Sequence, residues 1–408
     1  MTIVDRPTYL ATLQGYLGAP LAKVLTGIRR GGKSTLLSAL RDRLIQRGVA
    51  PERIIHLDFD EYENAPWATA EALNAYLTAN AAADGPYHVL LDEIQEVSGW
   101  EKVVNSLIAH GRADIYLTGS NSRLLSGELA TYVAGRYVSI DIAPLGFAEF
   151  LHFTRATGLY TASTQDAFAR YLRFGGFPGL FAVEYSDQQS QRVLLDTYQA
   201  ILLRDVITRR QIRSPELFTR VALYALDNVG NTFSAKRVSD YLKAQHKPIT
   251  HQTVADYLDT MVDAFLLYKV PRYNVRDRAH LQTQEKYYTG DHGLITGALG
   301  FSQSRLPGIL ENIVHNELRL RGYQVAIGKV GDAEVDFVAS RNDERLYIQV
   351  CVTALDPATY QRELAPLLAI KDSYPKYLLT LDTLASGNTQ GVKSLYLPDF
   401  LLAQGWSE

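Results

Sequence analysis

The sequence predicts an α/β protein: an N-terminal parallel sheet that binds phosphate, a helical middle, and a second α/β segment at the C-terminus. Three observations predict it. The stretch Gly27-Ile28-Arg29-Arg30-Gly31-Gly32-Lys33-Ser34 satisfies G-x-x-x-x-G-K-[ST] between an apolar run and a helix-forming run. Five short apolar runs alternate with helical segments between residues 21 and 145. The third of these runs ends in the acidic pair Asp92-Glu93.

The loop comes first in the chain. Its glycines let successive N–H groups curl toward an anion, and the helix that follows points its positive end at the same place. The phosphate-binding set is therefore Gly27, Arg29, Arg30, Gly31, Gly32, Lys33, Ser34 and Thr35. Lys33 would reach the β- and γ-phosphates, and the Ser34 hydroxyl would ligate Mg²⁺.

The strands follow as LAKVLTG, RIIHLDFD, HVLLDEI, DIYLTGS and YVSIDIA. Each closes on polar residues or glycine, where ligands sit in open α/β sheets. Asp92 at a strand end is the second metal ligand, opposite Ser34, and Glu93 orients or deprotonates the attacking water. The fourth run ends in Thr118-Gly119-Ser120-Asn121. Either a polar side chain there, Asn121 being the candidate, helps to position the water, or Ser120 or Asn121 is an ordinary helix cap. No N-K-x-D or T-K-x-D occurs, so the guanine-reading motif is missing and ATP with Mg²⁺ is the expected pair.

The whole chain sets the limits. At 408 residues, 47% hydrophobic and 21% charged, it is long enough for two or three globular domains. No apolar run approaches the roughly 18 residues of a membrane span, and MTIVDRPTYL carries charge where a signal peptide is apolar. The single cysteine, Cys351, excludes an intramolecular disulfide. A cytoplasmic protein is expected. Its net charge of −3 gives no global attraction to nucleic acid.

GIRRGGKSTLL, LLDEIQEVSGWEKVVNSL, the run from Leu117 to Leu151, and YLRFGGFPGLF, in this order, resemble a widespread prokaryotic AAA+-like ATPase family. That family ends in a domain of unknown function related to the PD-(D/E)xK nuclease fold. The resemblance implies an AAA+-like P-loop core over residues 1–150, a helical lid over 151–213, a winged helix-turn-helix over 214–273 and a nuclease-like domain over 274–408. It makes Arg29 and Arg30 a family feature, a brace for the loop or a contact to a neighbour, with solvated turn arginines as the alternative. It makes Arg136 a γ-phosphate sensor or arginine finger, with a structural ion pair as the alternative.

The residues support that division. Helices at 215–229, from Ser234 and from Thr250 precede an extended Leu266-Leu267-Tyr268 segment. Val254, Leu258, Met261 and Phe265 form one apolar helical face, and Asp256, Asp259 and Asp263 are placed on the exposed one. Those aspartates repel phosphate, although Thr250, His251 and Gln252 could touch bases. Weak DNA binding, a protein partner and a homo-oligomer are all left open.

In the tail, Glu334-Val335-Asp336-Phe337 and Leu346–Cys351 are the two strands of a nuclease-like hairpin, joined by a turn over 341–344. Gln349 and Cys351 stand where such an enzyme carries an acid and a lysine, and Glu311 is a lesser companion acid, read first as a surface or helix-pairing residue. The expectation is a scaffold with neither the metal-binding charge nor the cation, and no nuclease activity. The expected function is Mg²⁺-dependent ATP hydrolysis that moves the appended domains. An ATP-regulated nucleic-acid enzyme and a slow nucleotide-switched scaffold are the rivals.

Overall fold

All five apolar runs fold as strands: β1 (Ala22–Thr26), β2 (Ile54–Asp58), β3 (Tyr87–Asp92), β4 (Ala113–Gly119) and β5 (Tyr137–Asp141). They pair in parallel in the order β2-β3-β4-β1-β5. The structure is a computed structural model and describes residues 4–82, 84–122, 135–160, 163–208, 211–275, 277, 279–384 and 387–406. Part of the distinctive run between Leu117 and Leu151, residues 123–134, lies outside the described residues.

Alternation along the strands sorts side chains to two apolar layers. Val24, Val89, Leu91 and Leu117 pack on one face with Leu57, Leu73 and Trp100. Leu25, Leu90 and Tyr116 pack on the other with Leu36, Leu37, Leu40 and Leu44. Those four leucines recur on one side of helix α2 (Lys33–Gln46), which is why the segment after the loop is helical. Burying each of these leucines is worth about 2–3 kcal/mol, so the sheet and α2 hold the loop rigidly from both sides. At the amino end of the sheet Lys23 is fully buried, with Nζ 2.5 Å from Asp114, whose second carboxylate oxygen lies 3.1 Å from His88 Nδ1. This ionic group sits at the end of β1 away from the glycine loop.

The chain divides into two compact units. The first runs up to Pro144 and takes in Asp263–Phe265; the second holds Leu145–Val262 and the chain from Leu266 onward. The helices expected as a lid on the core, including Phe147–Thr157, Thr164–Phe174 and Asp187–Ala200, cluster with the second unit instead. Hydrogen bonds and close packing account for this. Leu145 N–H donates to Gly176 O, Gly176 N–H donates to the buried Asp291 carboxylate at 2.8 Å, and His292 Nε2 lies 2.6 Å from Tyr171 O. A side chain at Gly297 would overlap the backbone of Leu194. The first break therefore falls at 144/145, ahead of the expected 150/151, which lies inside the Phe147–Thr157 helix.

Three helices, Pro215–Asp227, Ala235–Ala244 and His251–Asp263, precede a hairpin of β6 (Leu267–Asn274) and β7 (Ala279–Thr289). Ser234 caps the second helix through Arg237 N–H, and Thr250 accepts from Thr253 N–H at the start of the third. Val254, Leu258, Met261 and Phe265 are all buried. The hairpin does not end a domain at residue 273. β6 pairs in parallel with β8 (Gln324–Val330), so the hairpin extends the tail sheet. That mixed sheet, as described, is ordered β12-β13-β11-β10-β9-β8-β6-β7, with β9 (Ala333–Arg341), β10 (Glu344–Val350), β11 (Lys376–Thr380), β12 (Gly387–Thr389) and β13 (Val392–Tyr396). Among the described residues no helix is long and apolar enough to cross a membrane.

Candidate active site

β1 delivers the chain into the glycine loop at its carboxyl end. Gly27 has φ +139° and Gly32 φ +100°, and a side chain at Gly27 would overlap the Ile142 carbonyl. Arg30 is carried through the left-handed region at φ +62° and is exposed. No side chain caps α2, which leaves its first-turn N–H groups for an anion. Gly31 is buried, while Ser34 and Thr35 lie exposed on the first turn.

Lys33 is buried, and its ammonium donates to two carbonyls of the loop itself, Gly27 at 2.9 Å and Ile28 at 3.1 Å. Arg29 pairs with Asp60 at 3.0 Å, so it braces the loop against the segment after β2. The stronger brace is one that motif reading missed. Arg6 is 5% exposed and donates from one nitrogen to Gly31 O and to Ala143 O, at 3.2 and 2.8 Å. No local signal marks Arg6, because its partners lie far along the chain.

Parallel pairing of β3 with β4, with Leu91 opposite Leu117, sets Asp92 and Thr118 side by side. Asp92 is 1% exposed and accepts hydrogen bonds from the Thr118 and Ser34 hydroxyls. Burial lifts its pKa from 3.8 to about 6 against those two hydrogen bonds, with Asp58 and Glu93 adding repulsion. A buried carboxylate touching a serine hydroxyl is a hard-oxygen donor pair, and it fits Mg²⁺.

The same burial has a cost in stability. A carboxyl whose folded pKa is raised stabilises the fold fully below the unfolded pKa, and that contribution is lost as pH rises through about 6. Asp92→Asn should therefore stabilise the nucleotide-free protein at pH 7, by about 3 kcal/mol at most. The gain over wild type should develop between about pH 4 and pH 6. Denaturation midpoints of both proteins across that range check it, and a variant less stable than wild type at pH 7 would refute the assignment.

Glu93 follows in the left-handed region, φ +49°, and is 6% exposed. Its N–H donates to Thr118 Oγ1 at 2.9 Å and its carboxylate accepts from the Gln95 amide. Thr118 thus links Asp92 to Glu93. It stood in the run that sequence reasoning singled out, and the strand register shows its contact with Asp92. Asn121 is buried two residues beyond β4.

Arg136 lies elsewhere. It is exposed and immediately precedes β5, whose first residue Tyr137 pairs with Ala22 at the start of β1. The loop opens five residues further along, on the order of 15 Å at strand rise. Parallel pairing puts Arg136 at the end of the sheet opposite the glycine loop.

Asp256 and Asp259 are exposed as expected, but Asp263 is half-buried and accepts from Ser122 Oγ at 3.1 Å. The tail needs a larger correction. Glu311 is no surface residue: it is largely buried on the helix Leu306–Leu320 and accepts from Tyr288 O–H at 2.7 Å. A cation that sequence reading did not single out, Lys286 from β7, pairs with Glu311, Glu334 and Asp336. Gln349 accepts from Asp336 N–H and donates to Glu363, and Cys351 is a half-buried thiol that burial pushes up to about 12.

A family profile described as an AAA domain matches residues 20–151, and one described as a domain of unknown function matches residues 165–305. The second crosses the boundaries expected at 213/214 and 273/274. An uncharacterized protein of Haemophilus influenzae is 36% identical over 401 residues, 98% of this chain and 99% of its own length. An uncharacterized protein of Methanocaldococcus jannaschii is 31% identical over 367 residues, 86% of this chain and 79% of its own. Among solved structures, a Walker-type ATPase of Pyrococcus abyssi superposes with a TM-score of 0.50 at 17% identity, over 72% of this chain and 96% of that one. At that identity the likeness is one of fold.

Proposed function

We propose, from the premise that this chain belongs to the AAA+-like P-loop ATPases, that it hydrolyses ATP with Mg²⁺ and uses turnover to reposition its second unit. One observation carries the reading: the Ser34 hydroxyl touches the buried Asp92 carboxylate, one residue from Lys33 and one from Glu93. The loop amides and Lys33 bind the β- and γ-phosphates. Ser34 and Asp92 would hold Mg²⁺, which would supply neutralisation of charge on the phosphate oxygens. Glu93 takes the proton of the attacking water as the new P–O bond forms, and the bond from the γ-phosphorus to the bridging oxygen breaks, releasing ADP and phosphate. Thr118 positions both acids, and Gln95 holds the Glu93 carboxylate.

Arg29 and Arg6 act as braces that keep the loop in shape between turnovers. Arg6 also carries that restraint to Ala143, next to the chain's passage into the second unit at 144/145. Movement of the loop on turnover would reach the second unit by this route. Arg136 is left with a single nucleotide role, as a finger supplied to a neighbouring copy.

The three-helix segment and its hairpin are a winged-helix-like module in this reading. Its third helix presents Asp256 and Asp259 to solvent, which favours a protein partner over a phosphate backbone. Steady-state ATP turnover measured with and without duplex DNA tests the whole reading. Turnover that requires Mg²⁺ and is indifferent to DNA at physiological salt is expected. Turnover that appears only with DNA would establish the nucleic-acid enzyme instead.

A further inference from the structure

We propose that Lys286 is a built-in cation that fills the centre of the tail's carboxylate cluster, so that this nuclease-like scaffold is closed to divalent metal and to phosphodiester cleavage. The inference is independent of the ATPase reading.

Four elements converge on one ammonium. Alternation along β7 sends Lys286 and Tyr288 to the same side of the sheet, and alternation along β9 does the same for Glu334 and Asp336. The helix Leu306–Leu320 contributes Glu311, and β6 contributes Arg272, which pairs with Glu334. Lys286 Nζ lies 2.9 Å from Glu334, 3.1 Å from Glu311 and 3.7 Å from Asp336, and the residue is 4% exposed. An ammonium carries three donors and no acceptor; Glu334 and Glu311 lie within hydrogen-bond reach and Asp336 adds charge at longer range.

Several of the carboxylate oxygens are further engaged. One Asp336 oxygen accepts from Val350 N–H at 2.8 Å and the other faces Lys286. The Glu311 oxygen that meets Lys286 also accepts from Tyr288. Gln349, where a metal site would want charge, is engaged as a neutral amide with Asp336 N–H and Glu363.

Geometry and charge exclude a second occupant. Oxygens hold Mg²⁺ or Ca²⁺ at about 2.0–2.6 Å, shorter than any of the three spacings around Nζ. The carboxylates are spread for an ammonium and would have to draw together around a metal. Accordingly, among the described residues no three His, Cys, Asp or Glu side chains converge to hold one. Burial drives the carboxyls of Glu311 and Asp336 upward. For Lys286, burial opposes the charge, but Glu311, Asp336 and Glu334 outweigh it and raise its pKa, so the ammonium stays protonated across the working pH range. Removing one partner of such a group leaves uncompensated charge, which a metal ion could then neutralise.

The experiment uses the full chain in an Asp92→Asn background, which silences the metal ligand of the phosphate loop, and Mn²⁺ as the probe in equilibrium dialysis. With Lys286 intact, Asp336→Asn should leave Mn²⁺ uptake unchanged. Lys286→Ala should gain one Mn²⁺ per chain, at least tenfold tighter than its parent, and lose it again when Asp336→Asn is added. If Lys286→Ala does not fold in chelator, refolding it in Mn²⁺ should restore helical circular dichroism, and failure there counts against the proposal. Mn²⁺ bound by the parent and lost in Asp336→Asn would overturn it, as would a folded Lys286→Ala that gains no metal. The chain without substitutions should leave supercoiled DNA intact in Mg²⁺ or Mn²⁺. Cleavage abolished by Asp336→Ala but kept in Lys33→Ala would place a working nuclease in the tail.

Discussion

Lys33→Ala is expected to abolish measurable ATP binding. The lysine is the cation built into the loop, and its ammonium is buried and donates to the Gly27 and Ile28 carbonyls. Those carbonyl partners can be exchanged for phosphate oxygens, whose negative charge adds direct attraction to the ammonium. Two such bonds, at about 1.5–3 kcal/mol each, amount to a loss of about 10²- to 10⁴-fold in affinity. Alanine also removes the donor to both carbonyls, so the variant's fold must be verified by circular dichroism before its affinity is read. Calorimetry then decides. A folded variant that binds ATP as tightly as wild type would remove the basis for assigning this loop to phosphate.

Glu93→Gln should separate binding from turnover. The phosphate contacts come from the loop and α2, and the metal contacts from Ser34 and Asp92, so ATP affinity should change by less than about threefold. Turnover should fall by about 10²- to 10⁴-fold, because the attacking water loses its proton acceptor. The geometry makes this a clean substitution. Glu93 N–H still donates to Thr118, and the glutamine carbonyl can still accept from Gln95. Single-turnover kinetics at saturating ATP give the measurement, and undiminished hydrolysis would move the water-activating role to another residue. Combined with the Asp92→Asn stability profile, the two variants distinguish phosphate binding, metal binding and proton transfer at adjacent residues.

Much of the first unit was legible before any coordinates. G-x-x-x-x-G-K-[ST], five apolar runs and an Asp-Glu pair are local patterns, and each is dictated by backbone chemistry within a few residues. Glycine is favoured where φ is positive at Gly27 and Gly32, leucines at helical spacing build α2, and an apolar run closing on a polar residue marks β3. The caps at Ser234 and Thr250 and the apolar face from Val254 to Phe265 were legible for the same reason.

What only the tertiary structure decided depends on neighbours distant in the chain. Arg6 meets Gly31 and Ala143, Thr118 meets Asp92 through strand register, and Lys286 meets Glu311, Glu334 and Asp336 from another part of the sheet. Arg136 was assigned to the phosphates by a motif, and parallel pairing with β1 put it at the far end. In the tail, the positions of Gln349 and Cys351 gave no sign of Lys286 and its three acids. A lysine on β7 carries no local mark of its role. Its charge is buried where three acids, one from a helix and two from β9, which is not adjacent to β7 in the sheet, close around it, and sequence spacing does not encode that convergence.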